Sequence, residues 1–185
     1  MATSRLSPLD PPYSPEIAAL FDRALPPGMA PLKLFRTLAR NERACQRFFA
    51  GSLLDRGSIS LEEREIVILR ACARCGSSYE WGVHVTIFAE RAGLDAAQIA
   101  ATAQGDAAAC WTPRQKLLIA LVDSLHDTAQ LPAPLWQTLT EEWSGEQLIE
   151  LVLLAGYYHT VSFLTNAFQI EAEPYGALFP DIIPG

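Results

Sequence analysis

Helix-start signals recurring along this chain constrain its fold more than any other feature. Ser60 with Glu63, Asp95 with Gln98, and Ser144 with Gln147 each have the spacing of a capping box, and Thr112-Pro113 places proline at a first helical position. In a capping box two side chains satisfy backbone N–H groups that the first helical turn leaves without partners, so each pattern dictates where a helix begins. Between these points apolar residues recur at three and four, and no run alternates at the period of a strand. The pattern predicts helices over roughly 15–24, 31–40, 42–56, 61–75, 78–93, 95–103, 113–128, 134–143 and 145–170. Prolines at Pro11-Pro12, Pro26-Pro27 and Pro132 to Pro134 punctuate the chain, but none of these stretches is long enough for an interdomain linker. The expectation is an all-α helical bundle in one domain over 13–185, preceded by an extended N-terminal arm at 1–12. No repeat of solenoid period and no low-complexity tract interrupts it.

Composition narrows the partners. With 185 residues, 50% hydrophobic and 19% charged, the chain has ample material for one core. The formal charge is -7, and lysine occurs only at Lys33 and Lys116, so neither nucleic acid nor an anionic membrane surface is an expected partner. The opening MATSRLSPLDPPYSP lacks an apolar core for a signal peptide, and the longest apolar run, Leu151 to Tyr158, is short for a bilayer. A soluble, cytoplasmic protein is expected. Four cysteines are too few for a disulfide framework, which leaves Cys72-x-x-Cys75 as the candidate redox pair. No further thiols or histidines follow at zinc-site spacing, so no metal ligands are expected.

Chemistry concentrates between Leu61 and Gly93. The helix from Leu61 is expected to set Glu63, Arg70 and Arg74 on a charged side and Ile68, Leu69, Cys72 and Cys75 on an apolar side, with Glu65 inside the apolar stripe. A carboxylate there is desolvated, which raises its pKa and suits it to proton transfer unless a partner keeps it ionised. The plainer alternative is a buried acid tied to an arginine from another helix. Gly76 breaks this helix, and on the next one Ser77, Glu80 and His84 fall within about 60° of one another, flanked by Trp81, Ile87 and Phe88. A carboxylate and an imidazole one turn apart form a general acid-base pair. Equally, Ser77-x-x-Glu80 reads as a capping box, and a histidine on such a face reads as a satisfied core residue. On the last helix Tyr158, His159, Ser162, Thr165, Asn166 and Gln169 collect polar groups on an otherwise apolar element. They are expected either to line a pocket, with Tyr158, His159 and Asn166 as its candidates beside Trp81, or to serve a subunit interface.

Glu65, then Ser77, Glu80 and His84 across a helix break, followed by A-x-x-A-G-L, resembles the core of the carboxymuconolactone decarboxylase and alkylhydroperoxidase D superfamily. The resemblance covers roughly 54–103 well and the flanking helices loosely. The peroxidase branch has a glutamate, eleven residues, Cys-x-x-Cys, three residues and a histidine. On this chain the outer positions fall on Glu65 and His84, while the two cysteine positions fall on Ser77 and Glu80. The decarboxylase branch has a glutamate four residues before the histidine and no cysteine pair, as Glu80 and His84 do here. Cys72 and Cys75 lie five residues upstream, at a helix C-terminus where the dipole disfavours thiolate.

What the resemblance implies is an AhpD-like helical fold and a cofactor-free enzyme acting on a small acidic or lactone-like molecule. His84 would exchange the proton, Glu80 would orient it, Glu65 would act as relay acid and Ser77 as hydrogen-bond donor. Self-association as a dimer, trimer or hexamer is implied as well. The alternatives are a thiol peroxidase of the alkylhydroperoxidase type using Cys72 and Cys75, and a non-catalytic oligomeric binding or scaffold protein. Extra N-terminal helices are expected to reshape or cover the pocket.

Overall fold

A computed structural model describes residues 4–180. Its helices are α1 (Pro15–Ala24), α2 (Lys33–Leu38), α3 (Glu42–Ala50), α4 (Leu61–Arg74), α5 (Ser78–His84), α6 (Ala96–Gln104), α7 (Pro113–Thr128), α8 (Ala133–Glu142) and α9 (Gly145–Ala167), with a π-helical turn at Val85–Ala89 directly after α5. No strand occurs among the described residues. Ser60/Glu63, Asp95/Gln98 and Ser144/Gln147 all form reciprocal capping boxes, and Thr112 pairs with Gln115 in a fourth.

Three boundaries depart from expectation. The third helix stops at Ala50, and the chain beyond Gly51 loops across to α9, where the Ser58 backbone N–H and hydroxyl donate to Glu150 at 2.6 and 2.5 Å. Gly57 permits that approach, because a Cβ there would lie 1.9 Å from the Glu150 carboxylate. The expected helix over 78–93 changes winding at Val85, and α9 ends at Ala167 because Gln169 turns to a φ of 50°.

Helix α4 is the axis of the bundle, packed by α5, α6, α7 and α9. Every residue from Glu63 to Cys72 is buried, so the expected division into charged and apolar sides does not hold. Its charges are instead satisfied internally. Arg70, 4% exposed, clamps Asp123 of α7 through Nε at 2.6 Å and Nη2 at 2.8 Å and donates to the Thr102 carbonyl. Glu63 accepts from Arg114, Trp143 and Ser60, while the Arg114 guanidinium lies over the Trp143 ring. Burial alone would raise the Glu63 pKa, but these donors hold it below the ordinary value.

Helix α9 corrects the membrane argument drawn from its uninterrupted apolar run. Its whole length and composition would allow it to cross a bilayer. Its inner face, including Leu151, Leu154, Ala155 and Tyr158, is buried in the bundle, and 44% of its most apolar stretch lies inside the fold. Its outer face leaves Ile149, Val152, Leu153 and Phe163 exposed.

Residues 4–14 contain no helix and lie against α2 and the end of α9: the Arg36 and Arg40 Nε atoms donate to the Leu9 and Ser7 carbonyls, and the Arg5 N–H to the Phe168 carbonyl. At the other end a C-terminal strap crosses α5. Ala177 N–H donates to the Gly82 carbonyl, Tyr79 Oη donates to Glu173 at 2.7 Å, and Phe179 packs edge-on to Trp81. Gly82 is required by this crossing, since a Cβ would meet the Ala177 carbonyl oxygen at 2.3 Å. Gly82→Ala is therefore expected to lift the strap, to cost about 1–3 kcal/mol in chemical denaturation, and to expose residues after Glu171 to limited proteolysis.

Candidate active site

His84 ends α5 and is 2% exposed, with both ring nitrogens engaged. Nδ1 lies 2.7 Å from Glu65 Oε2 on α4, and Nε2 lies 2.9 Å from the Tyr158 hydroxyl on α9 and 3.4 Å from Glu80 Oε1 one turn back. Behind this, Arg64 donates through Nε to Glu65 Oε1 at 2.9 Å, with Nη2 also at 2.9 Å. The Arg64 guanidinium is held by the Leu54 carbonyl and by the Phe88 ring, which itself packs at 5.0 Å from the His84 ring. The π-helical turn carries Phe88, and this change of winding falls directly after the histidine.

The electrostatics follow from that packing. Burial opposes charge on His84, but the Glu65 and Glu80 carboxylates outweigh it and push the imidazole up to about 9. At neutral pH the ring is an imidazolium whose Nδ1–H is committed to Glu65. Nε2–H is the proton available for exchange. Tyr158 is pushed well above its ordinary pKa by burial and by Glu80, so it remains a neutral phenol. Glu80 Oε2 is buried without a hydrogen-bond partner, an acceptor that a ligand can fill.

His84, Glu80 and Tyr158 share one wall of a cavity of about 590 Å³. The rest is largely apolar and aromatic: Phe35, Phe48 and Phe49 from α2 and α3, Leu25, Met29 and Leu32 from the segment before them, and Phe88 and Tyr157. The N-terminal helices thus form the wall opposite the histidine. Arg91 and Asp55, both exposed, are the charged residues at its edge.

The other sequence-derived candidates lie elsewhere. Ser77 stands at the N-cap position of α5 but makes no capping bond; its buried hydroxyl pairs instead with Thr165 of α9 at 2.8 Å. Trp81 faces the other way, donating from Nε1 to Thr102 at 2.9 Å. Asn166 donates to the Cys75 carbonyl, and His159 lies beside His126 and Cys75; neither lines the cavity. Cys72 is fully buried and Cys75 half-buried, both thiols are free, and burial raises both above the ordinary thiol value. Neither opens onto the cavity. Arg64 escaped sequence reasoning, because neighbours in sequence point away from each other on a helix. Its long side chain nevertheless folds back to Glu65. The aromatic wall had one local signal, the Phe48-Phe49 pair.

A helical bundle with a buried carboxylate–imidazole pair facing an apolar cavity is the class of protein that this fold and site define. Residues 40–124 match the model of the carboxymuconolactone decarboxylase family, a span holding Glu65, Glu80 and His84 but not Tyr158. The fold is similar to that of an uncharacterized peroxidase-related protein from Silicibacter sp. TM1040, with a TM-score of 0.80 and 16% identity over 97% of this chain and 99% of that one. It is also similar to the alkylhydroperoxidase AhpD core of a peroxidase-related protein from Ralstonia eutropha JMP134, with a TM-score of 0.76 and 18% identity over 91% and 93%. The debrominase Bmp8 aligns at a TM-score of 0.72 with 16% identity over 92% of each chain. No curated protein sequence matches the chain. The match to the carboxymuconolactone decarboxylase family thus spans the central part of the chain, and the AhpD-like helical fold extends over nearly all of it.

Because the folded pKa of His84 is raised from 6.5 to about 9, its contribution to stability is full below pH 6.5 and is lost as pH rises through about 9. An NMR titration of the His84 ring is expected to show its charge change near pH 9. Glu65→Gln should lower that midpoint by about one unit or more and flatten the fall in Tm between pH 7 and 10.

Proposed function

We propose that this chain is a cofactor-free acid-base enzyme resembling carboxymuconolactone decarboxylase, acting on a small acidic or lactone-like ring molecule. The observation that carries the reading is the division of labour at His84: one nitrogen fixed by Glu65, the other at the cavity wall beside Glu80 and Tyr158. Such an arrangement fixes the ring tautomer and leaves one exchangeable proton aimed at the ligand.

For a decarboxylation the balance is direct. The C–C bond to the carboxylate breaks, carbon dioxide leaves, and the electron pair stays on the ring carbon. Nε2–H protonates that carbon, forming a C–H bond, and the N–H electron pair returns to Nε2. Water then gives a proton back to Nε2, the hydroxide that remains combines with the released carbon dioxide as bicarbonate, and the Glu80 carboxylate stabilises the imidazolium that re-forms. Glu80 repels an acidic substituent, so the substrate carboxylate is expected to face Arg91, while the phenylalanine wall receives the apolar side of the ring. A protein of similar fold, the debrominase Bmp8, has been solved in a variant form with a small ring compound, 2,3,4-tribromopyrrole.

Thiol peroxidase chemistry at Cys72 and Cys75 has no comparable support, because neither sulfur reaches the cavity. Carboxylated lactones and β-keto acids, assayed for carbon dioxide release and for deuterium uptake from solvent, separate the readings. His84→Ala is expected to lower turnover by about a hundredfold or more with the fold retained, and Glu80→Gln to lower it less. Cys72→Ser with Cys75→Ser should leave it within about threefold, since neither thiol touches the reacting atoms. Turnover lost with the cysteines and kept in His84→Ala would reverse the assignment.

The outer face of α9 supports self-association. Ile149, Val152, Leu153 and Phe163 are exposed, with Ile149 at 71% and Phe163 at 64%, and Gly156 and Thr160 lie between them. All six fall within about 100° of helix face. Small residues flanked by large apolar ones allow a second copy of this helix to approach closely. Light scattering after gel filtration is expected to give an oligomer that Leu153→Glu with Phe163→Glu converts to monomer; a monomeric parent protein at micromolar concentration would refute the assignment.

A further inference from the structure

Away from the cavity, three side chains from three helices converge: Cys75 at the end of α4, His126 in the last turn of α7 and His159 in the middle of α9. They are 51 and 33 positions apart, so no motif joins them. Cys75 Sγ lies 3.8 Å from His126 Nδ1, which lies 3.0 Å from His159 Nε2, and all three atoms fall within 4.8 Å of one another. In tetrahedral zinc, with Zn–S near 2.3 Å and Zn–N near 2.05 Å, the S···N edge is about 3.6 Å and the N···N edge about 3.3 Å. One measured edge is about 0.2 Å longer and the other about 0.3 Å shorter than these values, and the third stays within 4.8 Å, so small side-chain adjustments bring the three atoms to tetrahedral spacing.

The surroundings suit a metal. His159 Nδ1–H donates to the Ala155 carbonyl at 2.8 Å, which fixes the tautomer and leaves Nε2 with its lone pair towards the cluster. Asn166 Nδ2 donates to the Cys75 carbonyl at 2.7 Å and holds the sulfur-bearing residue in place. The nearby Arg74 cation is countered by Asp123 and Asp127. All three ligand residues are half-buried, so an ion can enter.

We infer that Cys75, His126 and His159 form a binding site for one zinc ion, with water as the exchangeable fourth ligand. Three protein ligands leave one tetrahedral position open, unlike a closed structural site of four. On binding, the Cys75 S–H bond breaks and its proton goes to buffer, the thiolate electron pair goes to the metal, and His126 moves its proton from Nδ1 to Nε2. The ion would tie the ends of α4 and α7 to α9.

The test uses the full chain stripped with chelator and titrated with cobalt(II), a spectroscopic stand-in for zinc. Expected are one equivalent of tetrahedral d–d bands, a near-ultraviolet thiolate-to-cobalt charge-transfer band, and loss of both on adding zinc. Cys75→Ser should abolish the charge-transfer band, and His126→Asn should weaken cobalt binding at least tenfold, while Cys72→Ser and Cys110→Ser retain the full spectrum. In case a variant fails to fold, the parent protein alone gives a second reading: zinc, but not magnesium, should raise its Tm. Absent tetrahedral bands at stoichiometric cobalt, or a charge-transfer band that survives in folded Cys75→Ser, would overturn the site.

Discussion

A helix that carries charge on every side has been placed at the centre of the bundle, and the structure depends on how those charges are answered. Unpaired, each buried charge would destabilise the fold by several kcal/mol, so α4 dictates its neighbours. Arg70 demands Asp123 on α7, Glu63 demands Arg114 and Trp143, and Glu65 takes Arg64 and His84. These partners fix the positions of α5, α7 and the chain before α9 around one axis. Apolar burial supplies the driving force for the bundle, but apolar contacts tolerate sliding and bidentate arginine pairs do not.

The candidate active site is the one place where this arrangement opens onto space. Glu65 faces inward and answers Arg64, so its second oxygen can hold His84 in a single orientation. The far side of the imidazole then meets Tyr158 and Glu80 at the cavity wall. Charge is stabilised behind the ring and left incompletely paired in front of it, at Glu80 Oε2. A buried group with an unsatisfied acceptor costs stability, and such costs are typical of positions kept for a ligand. The α1–α3 region adds the aromatic wall, so the size and polarity of the cavity are set by a part of the chain distant from the histidine.

Helix starts, the Glu80–His84 pair and the break at Gly76 were legible in the sequence. Each rests on contacts within about four residues: a capping box, an i,i+4 neighbour, a glycine at a φ of 64°. The same local reasoning offered Ser77, which does hold the N-cap position of α5, a capping bond that it does not make, and took α4 for a two-sided helix, because Thr165 and Asp123, the residues that answer Ser77 and Arg70, are 88 and 53 positions away. What the chain determined by itself was therefore a set of helices with fixed beginnings and one acid-base pair on a shared face. Tertiary packing decided the rest: that Glu65 reaches the opposite nitrogen of His84, that Arg64 folds back to its neighbour, that Cys72 and Cys75 stay outside the cavity, and that Cys75 meets His126 and His159. The physical reason is that backbone hydrogen bonding is satisfied locally, whereas a buried charge takes whichever partner the packing of distant segments brings within reach.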